Sequence, residues 1–192
     1  MSYCCDRARS ITWGIHGGLP SIPHGVWLNK GREDARFLGA VFSNVSVSEG
    51  DTFTRPSAGG GGFGDPLERD PAAVCEDVID GYVSVERALK DYGVVVHETD
   101  AELGLHAVDA AGTERERARI RGERLGWLEA DAEEVAGRYR RGELDVLDLV
   151  RQYAVIVDWG TGELFPHTTE QFRAMVRRRA ASHWAPVGAG VS

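Results

Sequence analysis

The sequence predicts an α+β fold. Strand and turn signals fill the first fifty-odd residues. Helical periodicity and helix caps take over after a glycine-rich run, and a short apolar stretch late in the chain reads as one more strand. The switch from a period of two to a period of 3.6 falls on "PSAGGGGFGDPLERDP", Pro56 to Pro71. That stretch raises the main functional question, because such glycine density is also what a phosphate cradle looks like.

"GGLPSIPHG" carries two prolines and three glycines and is expected to be irregular loop. "NVSVS" alternates Val45 and Val47 with Asn44, Ser46 and Ser48, the pattern of a half-buried strand. Glu49-Gly50-Asp51 makes a turn, and "TFT" resumes as a second strand that Pro56 stops, so a hairpin is the simplest arrangement.

Helices follow. Asp65-Pro66 and Asp70-Pro71 each place a capping acceptor before a proline suited to the first helical position. Val74 and Val78 share a face of a helix from Pro71 to Asp80, which Gly81 can close in the left-handed conformation. Ser84 caps "VERALKDY", Gly93 ends it, and "VVV" reads as a short buried strand. From Thr113 the chain is charged and helical. Ala118, Leu125, Leu128, Ala132, Val135 and Tyr139 form an apolar stripe, with a break expected near Glu129 to Asp131, where Asp131 and Glu134 make a D-x-x-E start signal. Too few heptads are sustained for a coiled coil, so the stripe should pack within the molecule. Arg138, Arg140 and Arg141 complement the helix dipole at the end of that segment. Asp145 caps "VLDLVRQY", "AVIVDW" reads as a strand, "GTGE" as a turn, and Thr168-x-x-Gln171 as a capping box for a helix carrying Phe172, Met175 and Val176. The tail "APVGAGVS" should fray.

Composition narrows the function classes. With 192 residues and 42% apolar content, the chain fits one domain, or one with a sizeable extension, around a buried core. A net charge of −8 disfavours a nucleic-acid surface. No apolar run reaches the roughly 18 residues of a membrane span, and no secretory h-region opens the sequence. A cytoplasmic protein with neither nucleic-acid nor membrane partners is expected. The three cysteines make no disulfide framework, since Cys4 and Cys5 are adjacent and Cys75 sits among Val74, Val78 and Ile79 as a small hydrophobe.

Gly59, Gly61 and Gly64 satisfy G-x-G-x-x-G literally. The dinucleotide fingerprint also needs a strand running into the motif, a helix opening inside it and a βαβ unit. Pro56 interrupts the strand, Pro66 starts a helix only after the motif, and no Lys-Ser or Lys-Thr follows to make a P-loop. The steric reading is preferred. Gly59, Gly60, Gly61, Gly62 and Gly64, with Asp65 and Pro66, turn the chain from strands into a helix and let another backbone approach closely. A weaker variant has the exposed amides bind a carboxylate or other anion as a nest.

Other chemistry is sparse. His16 and His24, with Asp6 upstream, have no recognised metal-ligand spacing, and the plain alternative is polar surface. Asp158 and Glu163 flank a tight turn as a carboxylate pair or simply as a solvated turn. Arg173, Arg177, Arg178 and Arg179 form a basic helix end that suits the dipole or docks an acidic partner. No nucleophile–base pair is legible.

Taken in order, the motifs resemble a family. "AGGGGFGDPLERDP" followed by "DVIDGYVSVERALKDYGVVV" resembles the C-terminal part of the hydantoinase B/oxoprolinase family. The upstream "DRARSITWGIHGGLP" resembles that family's DR…WG…GG-x-P segment, and "VSEGDTFT" its hairpin before the glycines. This likeness covers Asp6 to Val96, and the region from Leu144 to Trp184 is similar to extended members of the acetone and acetophenone carboxylase type. Ser21 stands where glycine is usual, Phe63 where tyrosine is common, and His16 where no histidine is expected.

The resemblance implies a hydantoinase B-like C-terminal segment over 1–96, a mainly helical extension over 97–187 and a disordered tail over 188–192. It implies ATP-dependent opening of a hydantoin or 5-oxoproline ring, or carboxylation of a ketone. This chain would then be inactive alone and bind no cofactor. ATP and a divalent metal would belong to the complete complex, whose other members are the remainder of the hydantoinase B-like subunit and a hydantoinase A-like ATPase subunit. Asp6, Arg7 and His16 are the residues expected nearest a site, and no catalytic residue carries over. The alternatives are a non-catalytic assembly module docking the ATPase and an independent nucleotide-binding protein.

Overall fold

The computed structural model describes residues 1–56 and 59–183. It is α+β, with small antiparallel strand groups followed by helices. The expected fraying after Trp184 lies outside the described residues, as does the side chain of Arg179.

The first sheet is built around β2 (Val26–Leu28), which pairs on one side with β3 (Arg36–Gly39) and on the other with β5 (Phe53–Thr54). β1 (Tyr3–Cys4) and β4 (Val41–Phe42) form a separate pair. The expected hairpin between 44–48 and "TFT" is not formed, and β5 pairs with β2. Asn44 instead adopts a φ of 57°, and residues 43–48 make no ladder. Val45 exchanges backbone hydrogen bonds with Met1, and the Ser48 N–H is held by the Asp51 carboxylate at 2.8 Å.

β5 is fixed to the β2–β3 turn by Asn29, which is buried. Its amide nitrogen donates to Asp34 at 2.7 Å and Asp51 at 2.9 Å, and its oxygen accepts from Thr52 N–H at 2.9 Å. These bonds satisfy a side chain that would otherwise be costly to bury.

A short 3-10 helix (Pro66–Glu68) and α1 (Pro71–Ile79) start as the sequence predicts, with the Asp65 and Asp70 carboxylates accepting from the Leu67 and Ala72 N–H groups. α2 (Val85–Tyr92) begins at Ser84 and ends at left-handed Gly93. Val74, Val78, Ala88 and Val94 form a small core over this pair, and Cys75 is buried beside them, its thiol pushed up by burial. The strand after α2 starts at Val96 rather than Val94. It is β6 (Val96–Asp100), which pairs with β7 (Leu105–Val108) in a hairpin that the sequence does not announce.

α3 (Ala110–Glu129) starts before Thr113, capped by Asp109, and breaks at Ala130 as expected. α4 (Ala132–Arg140) restarts from Asp131, whose carboxylate accepts from Glu134 N–H at 2.8 Å. The stripe is only half right. Leu128 and Val135 are buried, but Ala118 and Leu125 face solvent. α3 buries Ile120 as well, and beside these residues Arg117, Arg121 and Arg124 reach back to the preceding segment. Arg117 donates to the Tyr92 and Arg69 carbonyls, Arg121 to the Leu67 carbonyl, and Arg124 to the Asp65 carboxylate. Long arginine stems cover apolar surface while their heads reach backbone oxygens.

α5 (Val146–Arg151) is capped by Asp145, and α6 (Pro166–His183) closes the described chain. α6 begins at Pro166, so Thr168 does not cap it. Thr169, one turn in, accepts from Ile156 N–H through its hydroxyl at 3.0 Å. "AVIVDW" is buried at Val155, Ile156 and Val157 but forms only an isolated bridge, Val157 to Leu164, rather than a strand. Its turn is closed by Asp158, which accepts from the Gly160 and Thr161 amides, so this carboxylate is a turn residue. The larger core gathers Leu128, Val135, Leu149, Val150, Val155–Val157 and Phe172, with Met175 and Val176 packed against it. Ile11, from the N-terminal loop, is a member of the same cluster.

Candidate functional site

The glycine run and the loop Trp13 to Leu19 interlock. Ile15 N–H donates to Gly62 O at 2.9 Å, Gly64 N–H to Ile15 O at 3.0 Å, and Gly62 N–H to Leu19 O at 2.8 Å. Ile15 and Phe63 thereby form a parallel bridge. The approach is too close for side chains. A Cβ on Gly61 would lie 2.0 Å from Trp13 O, one on Gly18 2.1 Å from Gly62 O, and one on Gly14 2.1 Å from Gly18 O. Those contacts are far inside van der Waals distance and involve backbone atoms that cannot rotate away. Gly64, at a φ of 80°, turns the chain toward Asp65.

Asp65 joins the corner to the helices. One carboxylate oxygen accepts from Leu67 N–H at 3.0 Å, and the other from Arg124 Nη1 at 2.8 Å. Pro66 sets the first residue of the 3-10 helix. Ser21, where a glycine is usual in the resemblance, closes the other loop. Its hydroxyl accepts from Thr12 N–H at 2.8 Å, and its own N–H donates to Thr12 O at 2.8 Å.

The remaining predicted site residues separate. Arg7, at a φ of 68°, reaches Gly59 O with Nη1 at 3.2 Å. His16 is exposed on the corner, its ring 5.1 Å from that of Phe63. Asp6 lines a different open cleft, with Cys5, Arg9 and Asp158. His24 is buried, with Nε2 2.9 Å from the Tyr3 hydroxyl, and burial beside the charge of Arg55 lowers its pKa. Among the described residues no group of three or more His, Cys, Asp or Glu side chains could hold a metal ion.

An open cleft of about 650 Å³ runs along Gly60–Gly64. Its far wall holds Arg69, Tyr92 and Arg151, which no local pattern places near the glycines. Arg69 bridges to Asp77 at 2.6 Å and lies 5.7 Å from the Tyr92 ring, and Arg151 pairs with Asp91. Behind them stands an ionic network between α2 and α5. Asp148 accepts from Arg87 at 2.8 Å and Lys90 at 2.7 Å, Arg87 also pairs with Asp145, and Lys90 with Glu86 at 2.8 Å. Burial raises the pKa of Asp91 despite Arg151 and Arg87 beside it. The guanidinium groups facing the glycines are thus neutralised locally, and the Gly62 and Gly64 amides already have carbonyl partners. The cleft is a polar groove walled on one side by the glycine backbone.

Two arginines of the basic segment of α6 are likewise engaged. Arg173 is buried and donates to the Tyr153 and Ala130 carbonyls, while Arg177 reaches Glu129 and the Leu128 carbonyl.

The hydantoinase B/oxoprolinase family model matches residues 1–66. Over 106 residues the chain is 37% identical to the acetone carboxylase alpha subunit of Xanthobacter autotrophicus strain Py2, which covers 52% of this chain and 13% of that subunit. Over 98 residues it is 42% identical to the B subunit of a putative D-/L-hydantoinase of Pseudomonas sp. strain NS671, covering 50% of this chain and 16% of that protein. A solved nucleotide-free acetone carboxylase aligns with 93% of this chain and 26% of that chain, at 24% identity and a TM-score of 0.48. The aligned part therefore spans less than a fifth of either curated relative.

Proposed function

We propose that this relative of the hydantoinase B/oxoprolinase family is the C-terminal part of a hydantoinase B-like subunit and turns over substrate only with the rest of that subunit. The parent reaction would be ATP-dependent opening of a cyclic amide such as a hydantoin or 5-oxoproline, or carboxylation of a ketone. The observation that carries this reading is the interlocked corner. The residues that resemble the family build a steric scaffold, and the charged groups around it are paired with one another rather than left to act on a substrate. In this reading the divalent metal and ATP belong to the complete complex.

The test is reconstitution. The 192-residue chain alone should consume no hydantoin, 5-oxoproline or acetone with ATP. The same chain with the remaining hydantoinase B-like sequence and a hydantoinase A-like ATPase should do so. ATP-dependent turnover by the chain alone would overturn the proposal.

A second reading, an assembly module, is favoured by one feature. Trp13, Ile15 and Phe63 stand together on the corner, 55%, 51% and 77% exposed, on a backbone that cannot yield. Exposed apolar groups on a rigid support suit a protein interface. Phe63→Ser should leave the circular dichroism unchanged and weaken co-purification with the rest of the subunit or the ATPase. Unchanged co-purification with both would exclude this face as the contact.

A further inference from the structure

The glycine segment of the corner is paired along one edge only. In the parallel bridge, Ile15 N–H bonds Gly62 O and Ile15 O bonds Gly64 N–H. Phe63 lies between those two partners, so its own N–H and C=O point away from Ile15. Gly62 also donates inward, to Leu19 O, and by strand alternation Gly61 faces outward with Phe63. Among the described residues, neither the N–H nor the C=O of Gly61 or Phe63 makes a hydrogen bond. Both residues are exposed and line the open cleft. Edge strands are commonly guarded by a charge or a proline, and Gly60 to Gly64 holds neither. Ile15 and Phe63, paired in the bridge, put two exposed apolar side chains on one face.

We propose that the Gly61–Phe63 edge receives an extended segment of the remaining hydantoinase B-like sequence, added as a strand through main-chain hydrogen bonds. The inference rests on reading the chain as one part of such a subunit, and it says how that part is joined to the rest. The aligned part spans less than a fifth of either curated relative, so most of the subunit would lie outside this chain. Backbone chemistry selects a polypeptide. Two N–H and two C=O groups alternate over residues two apart, which is the repeat of a facing strand. An anion would meet the two carbonyl oxygens as well as the two donors. The segment should place an apolar residue beside Phe63, continuing the row that Ile15 and Phe63 begin.

Hydrogen exchange resolved to single amides, on the chain alone and with the remaining hydantoinase B-like sequence bound, tests this. The Gly61 and Phe63 amides should slow at least tenfold in the complex. Those of Gly62 and Gly64, already bonded to Leu19 O and Ile15 O, should change little. Gly61→glycolic acid isolates the main-chain contact, because it replaces the Gly61 N–H by an ester oxygen. The carbonyl it weakens is that of Gly60, which makes no hydrogen bond among the described residues. The variant should fold as wild type and bind the remaining sequence about tenfold more weakly. If it does not fold, the exchange pattern of the wild type still decides. A complex that forms with the Gly61 and Phe63 amides unslowed, or one that the ester leaves equally tight, would overturn the inference while the subunit reading stands. Failure of the wild-type chain to bind the remaining sequence would remove both. Self-association of the chain alone, abolished by the ester, would overturn it by assigning the edge to a second copy.

Discussion

Gly61 lies so close to Trp13 that a Cβ on it would stand 2.0 Å from the Trp13 carbonyl oxygen. Gly60, its neighbour, has nothing within 4 Å of the same position. Two adjacent glycines in one run therefore do different things, one required by a backbone contact and the other merely present.

Alanine scanning of this pair separates the two. Gly61→Ala should destabilise the chain by about 3 kcal/mol or more, because overpacking against an immovable backbone exceeds the usual core penalty. Gly60→Ala should stay within about 0.5 kcal/mol of wild type, as for a surface change. The urea midpoint of each variant reads the difference, and equal midpoints would remove the steric account of the corner.

The Asp65–Arg124 pair offers a second measurement. Both side chains are 12% exposed, and Asp65 also caps the 3-10 helix. Asp65→Asn keeps a capping oxygen and loses the charge, so it should cost about 2–4 kcal/mol, as expected when one partner of a buried pair is removed. Asp65→Ala should cost about 1 kcal/mol more by removing the cap as well. A double variant, Asp65→Asn with Arg124→Met, should recover part of the loss. Strict additivity in denaturant titrations would mean that the two side chains do not act as a pair.

What the sequence made legible was local. Asp65, Asp70, Ser84, Asp131 and Asp145 each cap a helix from within a few residues, and that chemistry is written in the adjacent sequence. Long-range competition was not visible. "NVSVS" has strand periodicity, but β5 takes its partner from β2 and 44–48 stays outside the sheet. The β6–β7 hairpin is built from "VHETD", which is polar after its first residue, and "LHAV", which is too short to show a period. Arginines stand beside the buried Ile120 and Leu128 on α3 and break the apolar spacing, so a search for that spacing selects Ala118 and Leu125 on the outside. The same blindness hid the candidate site. Glycines and Asp65 marked one wall of the cleft, but Arg124 and Arg151 come from helices 59 and 86 residues beyond Asp65, where a charged residue reads as solvated surface.

The α2–α5 network should show a split between its centre and its rim. Asp148 is 6% exposed by side chain and holds Arg87 and Lys90, whereas Glu86 is 63% exposed. Asp148→Asn should destabilise by about 3 kcal/mol, since it removes from two cations the buried carboxylate they share. Glu86→Gln should cost no more than about 0.5 kcal/mol. Salt distinguishes them further. At about 1 M sodium chloride, where the Debye length is about 3 Å, the Glu86 effect should vanish and most of the Asp148 effect should remain. Equal effects at both positions would mean that the network is solvated throughout.

His24 makes stability depend on pH in a defined direction. Burial, with the Arg55 charge nearby, lowers its folded pKa below the ordinary value of 6.5. The unfolded state therefore takes up its proton first as pH falls. The stability that neutral His24 contributes is fully present above about pH 6.5. It is lost progressively as pH falls from there through the folded pKa, and the loss levels off below it, where both states are charged. Neutral His24 has a nitrogen lone pair to accept from the Tyr3 hydroxyl, which lies 2.9 Å from Nε2, and protonation removes that acceptor. His24→Gln keeps polar hydrogen-bonding capacity without a titrating group. Wild-type thermal midpoints should fall between pH 7 and pH 5 more steeply than those of His24→Gln. Parallel curves for the two proteins would show that another group carries the acid sensitivity.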